Sequence, residues 1–232
     1  MILPTLDSND ALFLDIDGTL IDLAPTPDSV VVLPYLPGTL LRLSEQLGGA
    51  LAIISGRKLS DIDRLLGPGL TCAAEHGMLI RTPDGALTSQ VQRPAGYAHW
   101  LKVFNRYAKE MPGLLVEEKE FSLVLHYRRA PEHEEELRSL VHQLLADSAD
   151  ATLLPAHCAF ELKPRGGNKG DALAGFMAMA PFAGRRPIFI GDDVTDEPAI
   201  AKANELGGAG LHVKRDFGGD TEAVRDWLRR AL

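Results

Sequence analysis

Residues 11–19 read Ala-Leu-Phe-Leu-Asp-Ile-Asp-Gly-Thr. An apolar run this short predicts a buried strand rather than a helix. It runs directly into two acids, a glycine and a threonine. Two other runs share this design. Leu51-Ala52-Ile53-Ile54 ends in Ser55-Gly56-Arg57, and Pro187-Ile188-Phe189-Ile190 ends in Gly191-Asp192-Asp193-Val194-Thr195-Asp196. Helical patterns lie between the first runs. Leu36, Leu40, Leu43 and Leu47 share one face and stop at Gly48-Gly49; Leu59, Ile62, Leu65 and Leu66 share another and stop at Gly67-Pro68. Strands alternating with helices predict βαβ units, a parallel sheet and an α/β fold.

The middle of the chain reads differently. Tyr97, Leu101, Phe104, Ala108 and Met111 fit one helical stripe, and Phe121 to Arg128 alternate as a strand. Pro131 opens a second helix whose first turns carry Glu132, Glu134, Glu135 and Glu136, where acids favour the helix dipole. This acidic run reads as a solvated helix start. Its apolar stripe is Leu137, Leu140, Val141, Leu144 and Leu145, and a strand from Cys158 to Leu162 follows. Pro83-Asp84-Gly85 predicts a hairpin turn. An α+β insert is therefore expected at 86–160, with the α/β core formed by 1–85 and 161–232.

Composition excludes several classes. The 232 residues carry 24 Lys plus Arg against 32 Asp plus Glu, a net charge of −8, which argues against nucleic-acid binding. The longest nearly continuous apolar stretch, 172–184, falls short of the ~20 residues of a membrane span. The first residues lack the basic and long apolar regions of a signal peptide. Cys72 and Cys158 make no disulfide framework and no metal-binding CxxC, so they read as reduced thiols of a cytoplasmic protein.

In open parallel sheets, ligands bind outside the carboxyl ends of the strands. The three polar tips then meet at one crevice, which gathers Asp15, Asp17, Asp192, Asp193 and Asp196. Such a cluster repels itself and raises carboxylate pKa values unless a cation is present. Mg²⁺, a hard ion that prefers oxygen, matches it. Lys169, in Gly166-Gly167-Asn168-Lys169-Gly170, opens the next predicted helix and supplies positive charge. Ser55 and the backbone amides around Asp17 and Gly18 supply hydrogen-bond donors for an anion. A carboxylate beside a metal, facing an anion site with a lysine, suggests phosphoryl transfer. Strand alternation points Asp15 and Asp17 the same way. One can then attack while the other moves the proton of the leaving group.

DIDGT at 15–19, the strand-end Ser55, Lys169 and GDD at 191–193 together resemble the four motifs of the haloacid dehalogenase-type phosphatases. That resemblance implies a Rossmann-like core with an inserted α/β cap. It implies Asp15 as nucleophile, Asp17 as general acid/base, and Thr19 as the threonine of the phosphatase branch. Ser55, Lys169 and Gly18 would bind the phosphoryl group. Mg²⁺ would sit on the Asp15 carboxylate, the Asp17 carbonyl and Asp192, with Asp193 and Asp196 holding Lys169 or metal-bound water.

A finer likeness covers nearly the whole chain. FLDIDGTL, IISGR, EHG (75–77), ELKPRGGNKG and GDDVTDE, with VEEK (116–119) and LHYR (125–128) in the insert, resemble the trehalose-6-phosphate phosphatase family. This implies Mg²⁺-dependent hydrolysis of trehalose 6-phosphate through an aspartyl-phosphate. It also implies a mobile cap that reads sugar hydroxyls with Glu117, Lys119, Arg128 and Glu161. Arg57 either braces the site or reaches the substrate. His126 reads as a supporting residue, and His157 stands where many relatives carry a lysine. Glu75-His76-Gly77 reads as a turn beside the crevice. A monomer is expected, because the cap must swing.

The rival substrates are sucrose 6-phosphate or a mannosyl phosphate, against which VEEK, LHYR and ELKPRG speak. A rival of another class is a phospho-Asp switch module. Such modules place the acidic pair and the phosphorylated Asp on different strands, whereas here Asp15 and Asp17 share one.

Overall fold

In the computed structural model, which describes residues 3–26, 29–89, 91–156 and 158–232, the run at 10–14 is a strand buried along its whole length. A parallel strand covered on both faces needs this unbroken apolar run. Along the chain the strands are β1 (Asp10–Leu14), β2 (Leu51–Ile54), β3 (Cys72–Ala74), β4 (Leu79–Arg81), β5 (Leu87–Thr88), β6 (Leu115–Glu118), β7 (Leu123–His126), β8 (Ala151–Ala156), β9 (Ala159–Pro164), β10 (Arg186–Gly191) and β11 (Ala209–His212). The α-helices are α1 (Leu36–Gln46), α2 (Leu59–Leu66), α3 (Tyr97–Glu110), α4 (Glu134–Leu145), α5 (Lys169–Met177), α6 (Glu197–Glu205), α7 (Val213–Asp216) and α8 (Thr221–Arg230).

The chain divides into two compact units, Met1–Ser89 with Gly167–Leu232, and Gln90–Gly166. The first unit holds a seven-stranded sheet in the order β11-β10-β1-β2-β3-β4-β5. β11 to β3 run parallel, and β4 and β5 extend the edge as antiparallel strands. From β1 the chain moves to β2 and β3 on one side, and later to β10 and β11 on the other. The order therefore reverses between β1 and β10, which is where an open α/β sheet forms its ligand crevice. Beneath it, Phe13 on β1 stacks on Phe176 of α5 and on Phe182. The fold is α/β: a mostly parallel core sheet in one unit and a separate antiparallel sheet in the other.

The second unit holds the antiparallel sheet β6-β7-β9-β8. α3 packs on β6 and β7, and α4 on β8 and β9. Trp100, Phe104, Leu137 and Val141 meet Leu125, Phe160 and Leu162 in its core. The stripe on α3 runs through Tyr97, Trp100 and Phe104, with Leu101 only half-buried. Trp100, absent from the expected stripe, is the largest side chain buried there, because an indole covers the widest area of the sheet.

The unit boundaries fall later than the expected 85/86 and 160/161. β5 pairs with β4, so 87–88 stay with the seven-stranded sheet. β9 is laddered on both sides, by β7 and β8, so a boundary at 160/161 would divide a paired strand. The hairpin at 82–86 forms as expected, with the Thr82 amide donating to the Ala86 carbonyl and the Gly85 amide to the Thr82 carbonyl.

Candidate active site

The register of β1 against β10 sets Leu14 beside Ile190, and the Asp15 amide donates to the Ile190 carbonyl. Asp15, one residue past Leu14, and Asp192, two past Ile190, thereby both emerge at the carboxyl ends of these neighbouring strands. Beyond Asp15 the backbone folds into a tight turn. The amides of Thr19, Leu20 and Ile21 all donate to the Ile16 carbonyl, and Gly18 donates to Ile21. Gly18 has φ +71°, and a Cβ there would lie 2.1 Å from Asp192 Oδ2. Only glycine lets the turn close against the Asp192 carboxylate.

Lys169 is the first residue of α5, whose N-cap Asn168 accepts from the Asp171 amide. The cap aims the lysine into the crevice. Its Nζ donates to Asp15 Oδ1 at 2.7 Å and to Asp196 Oδ1 at 2.6 Å. Asp196 is fully buried, and its second oxygen accepts from the Asp192 and Asp193 amides. Asp196 thus accepts from one ammonium and two amides. Asp193 instead accepts from the amide and hydroxyl of Thr195, which fixes the loop that carries Asp192.

Ser55 is buried at the end of β2, and its Oγ accepts from the Arg57 amide at 3.3 Å. Arg57 turns to Asp17. Its Nε lies 2.7 Å from Asp17 Oδ2 and its Nη2 lies 2.6 Å from Oδ1.

Burial pushes the Asp15 carboxyl well above the usual carboxylate range, with the Asp196 charge adding to it and Lys169 opposing it. Burial, then the charges of Asp193 and Asp196, raise Asp192 to about 7. Burial alone would lower Lys169, but the Asp15 and Asp196 charges outweigh it and hold the ammonium protonated. Five carboxylates thus share the site with two cations, Lys169 and Arg57. Oxygens of Asp15, Asp192 and Asp196 lie within 4.8 Å of one another. An all-oxygen set with excess negative charge suits a hard divalent cation. Among the described residues, Asp15, Asp192 and Asp196 are the group whose oxygens could hold it. Cys72 belongs to no such set; burial raises its thiol to about 11.

The second unit carries its own polar cluster. Register places Glu117 opposite Val124, and Val124 opposite Glu161, so both acids stand on one face of the sheet. Lys119 Nζ lies 3.2 Å from Glu161 Oε2, and Ser122 Oγ donates to Glu161 Oε1 at 2.6 Å. Lys119, Ser122 and Glu161 are all buried. His126 Nε2 lies 2.9 Å from Glu117 Oε2. Burial raises Glu117, but His126 and Lys119 outweigh it and bring its carboxyl below the usual range. Arg128 lies exposed in the turn that follows β7. His157 lies outside the described residues.

Two participants escaped the sequence reading. Ser122 orients Glu161, and nothing in the pattern FSLVLHYR marks it. Lys163 is buried two residues after Glu161 on the same strand, so it shares the polar face; strand alternation was the available signal.

The trehalose-phosphatase family model matches residues 13–224. A probable trehalose-phosphate phosphatase of Sinorhizobium fredii is 43% identical over 214 residues, covering 88% of this chain and 78% of that protein. The chain belongs to the trehalose-phosphatase family. The trehalose-6-phosphate phosphatase of Escherichia coli is 39% identical over 212 residues, 90% of this chain and 79% of its own length. The C-terminal domain of Candida albicans trehalose-6-phosphate phosphatase superposes with a TM-score of 0.75 at 22% identity, over 86% of this chain and 75% of that one, a likeness of fold. Membership of the trehalose-phosphatase family makes this chain a phosphoric monoester hydrolase. Among the described residues no helix is long and apolar enough to cross a membrane.

Proposed function

We propose that this chain hydrolyses trehalose 6-phosphate to trehalose and phosphate through a phospho-Asp15 intermediate, with Mg²⁺ as cofactor. The observation that carries the reading is the buried Lys169, shared between Asp15 and Asp196 at the carboxyl ends of β1 and β10. The substrate rests on the two relatives at 43% and 39% identity.

In the first step an Asp15 carboxylate oxygen attacks phosphorus. The bond from phosphorus to the sugar oxygen breaks, and Asp17 gives that oxygen a proton as trehalose leaves. In the second step Asp17 takes a proton from water as the water oxygen attacks the same phosphorus. The phosphorus–Asp15 bond breaks, and phosphate leaves. A carboxylate nucleophile divides one very slow hydrolysis into two easier displacements. Lys169 keeps its charge beside the phosphoryl oxygens throughout, and Ser55 with the Gly18 turn offers donors to them. Mg²⁺, held by Asp15, Asp192 and the Asp17 carbonyl, would neutralise charge on the phosphoryl group. In the second unit, Glu117, Lys119, Arg128 and Glu161 read sugar hydroxyls. Polar groups left unpaired by the wrong sugar disfavour it more strongly than a missed apolar contact.

The test is phosphate release from trehalose 6-phosphate, glucose 6-phosphate, sucrose 6-phosphate and an aryl phosphate, with Mg²⁺ and with excess chelator. A chelator-sensitive preference for trehalose 6-phosphate is the expected result. Release from the other esters alone would overturn the substrate, and release that persists with chelator would overturn the cofactor.

A further inference from the structure

We propose that Arg57 is a positioning residue for Asp17, held in place by the left-handed turn Glu75-His76-Gly77; this rests on the reading of Asp17 as general acid/base.

The guanidinium meets Asp17 as a two-pronged fork, at 2.7 and 2.6 Å. This geometry fixes both the position and the plane of a carboxylate, which a single contact cannot do. The fork takes one lone-pair site on each oxygen and leaves another on each for the reacting proton. Arg57 is only 8% exposed, whereas the Asp17 side chain is 33% exposed. The brace is the buried member and the acid faces the opening.

A fork positions its partner only if its own backbone is held. Here three consecutive residues with positive φ do the holding, Glu75 at 48°, His76 at 59° and Gly77 at 97°. For residues other than glycine this conformation is costly and survives where the surroundings impose it, often next to a functional site. The turn directs two successive amides into the loop that carries Arg57. The Glu75 amide donates to the Arg57 carbonyl at 3.0 Å and the His76 amide to the Ser55 carbonyl at 2.9 Å. Between these bonds lies Gly56, where a Cβ would stand 2.5 Å from His76 Nε2. The imidazole therefore rests directly on the Gly56 backbone. Residues 75–77, which phosphoryl chemistry itself does not use, thereby set the origin of the Arg57 side chain.

The consequence is selective. A misplaced general acid harms an ester with a poor leaving group, such as a sugar alkoxide, and spares an aryl phosphate whose phenolate leaves without a proton. The experiment measures kcat and KM for Asp17→Asn, Arg57→Ala, Arg57→Lys and the Asp17→Asn/Arg57→Ala double variant, on trehalose 6-phosphate and on p-nitrophenyl phosphate. kcat/KM reports only through the first phosphoryl transfer, so it isolates the proton given to the leaving group. Asp17→Asn is expected to lower kcat/KM on the sugar ester by about 10³-fold and on the aryl ester by less than about 10-fold. Arg57→Ala is expected to lower it on the sugar ester by about 30-fold through kcat, with KM and the aryl ester changed less than about 3-fold. Arg57→Lys keeps the charge without the fork and should fall between. The double variant should be no worse than Asp17→Asn alone.

Equal losses on both esters through KM would show Arg57 gripping the phosphoryl group, and would overturn the proposal while leaving Asp17 in its role. Fully additive losses in the double variant would overturn it as well. If Asp17→Asn itself shows no preference between esters, the reading of Asp17 fails and the proposal with it. Should Arg57→Ala not fold, Arg57→Lys decides by the same two-ester comparison.

Discussion

The carboxyl ends of β1 and β10 and the polar face of the β6-β7-β9-β8 sheet both bury charge, but they balance it differently. At the first, five carboxylates face Lys169 and Arg57. At the second, Glu161 faces Lys119, Glu117 faces His126 and Lys163 shares the face, so neither acid lacks a basic partner. An ion taken out of water is costly unless a partner compensates it. The matched face is compensated from within and suits a neutral, hydroxyl-rich ligand. The unmatched site is left with excess negative charge, which a metal cation answers. On the proposed reading, surplus charge lies where bonds break and matched charge where a sugar is read.

The largest effect expected at the unmatched site comes from Asp15→Asn. The amide oxygen still accepts from Lys169, so the fold should persist, while the proposed nucleophile and one proposed metal ligand disappear together. Phosphate release should fall by about 10⁴-fold or more. Appreciable turnover in that variant would break the contrast, because the surplus charge would then have no chemical use.

Lys169→Met removes the cation and leaves Asp15 and Asp196 facing each other. The loss of phosphoryl stabilisation should lower kcat by about 10³-fold. The uncompensated buried carboxylates should lower folding stability by about 3 kcal/mol near neutral pH, measured by urea denaturation. Because protonation of those carboxylates relieves the repulsion, the deficit should shrink on acidification. A deficit that stays constant from pH 8 to pH 5 would mean that Lys169 acts by packing alone.

Asp15, Asp192 and Lys169 were legible in the sequence, and the reason is physical. Asp15 follows an apolar run, Asp192 follows another, and parallel strands leave their carboxyl ends at one edge. Type and order of residues suffice to bring them together. Lys169 was legible because it opens the helix that follows Gly166-Gly167-Asn168. What the one-dimensional pattern did not carry is the direction of long side chains. Arg57 has two plausible targets within reach, and only the packed loop under the 75–77 turn selects Asp17. Glu161 between Phe160 and Leu162 reads equally as a solvent-facing strand residue, yet it is 4% exposed and holds Lys119. Trp100 was overlooked for a related reason. The stripe through Leu101 satisfies the helical period as well, and the sheet it packs on lies elsewhere in the chain.

At the matched face the expected effects are smaller and selective. Glu161→Gln keeps an acceptor for Ser122 but leaves Lys119 opposite a neutral amide. KM for trehalose 6-phosphate should rise by about 10-fold, the scale of one lost charge-assisted hydrogen bond, while kcat/KM on an aryl phosphate changes by less than about 2-fold. Equal losses on both substrates would make the cluster a stabiliser of its own sheet rather than a reader of sugar.

The smallest effect separates the two regions by pH. Burial, then the Asp193 and Asp196 charges, push the Asp192 carboxyl from an ordinary 3.8 up to about 7. A carboxyl whose folded pKa is raised contributes stability fully below its unfolded pKa, and loses it as pH rises through the folded one. The metal-free protein should therefore lose stability between about pH 4 and pH 7 on account of this group. Partial exposure and salt screening reduce the expected loss to about 1–2 kcal/mol, a few degrees in Tm. Asp192→Asn removes the titration. It should match the parent near pH 4 and exceed it at pH 8, in chelator, by differential scanning calorimetry. Mg²⁺ should raise the parent's Tm more at pH 8 than at pH 5, because the ion competes with protons for the same oxygens. It should raise that of Asp192→Asn far less. Glu117, whose carboxyl is held below the usual range by His126 and Lys119, runs the other way. Its contribution is present above its unfolded pKa and disappears as pH falls through the lowered one, and Mg²⁺ should not alter it. Parallel melting curves for the parent and Asp192→Asn across this range would mean that the crevice is not strained by its own charge. The contrast between unmatched and matched sites would then lose its energetic basis.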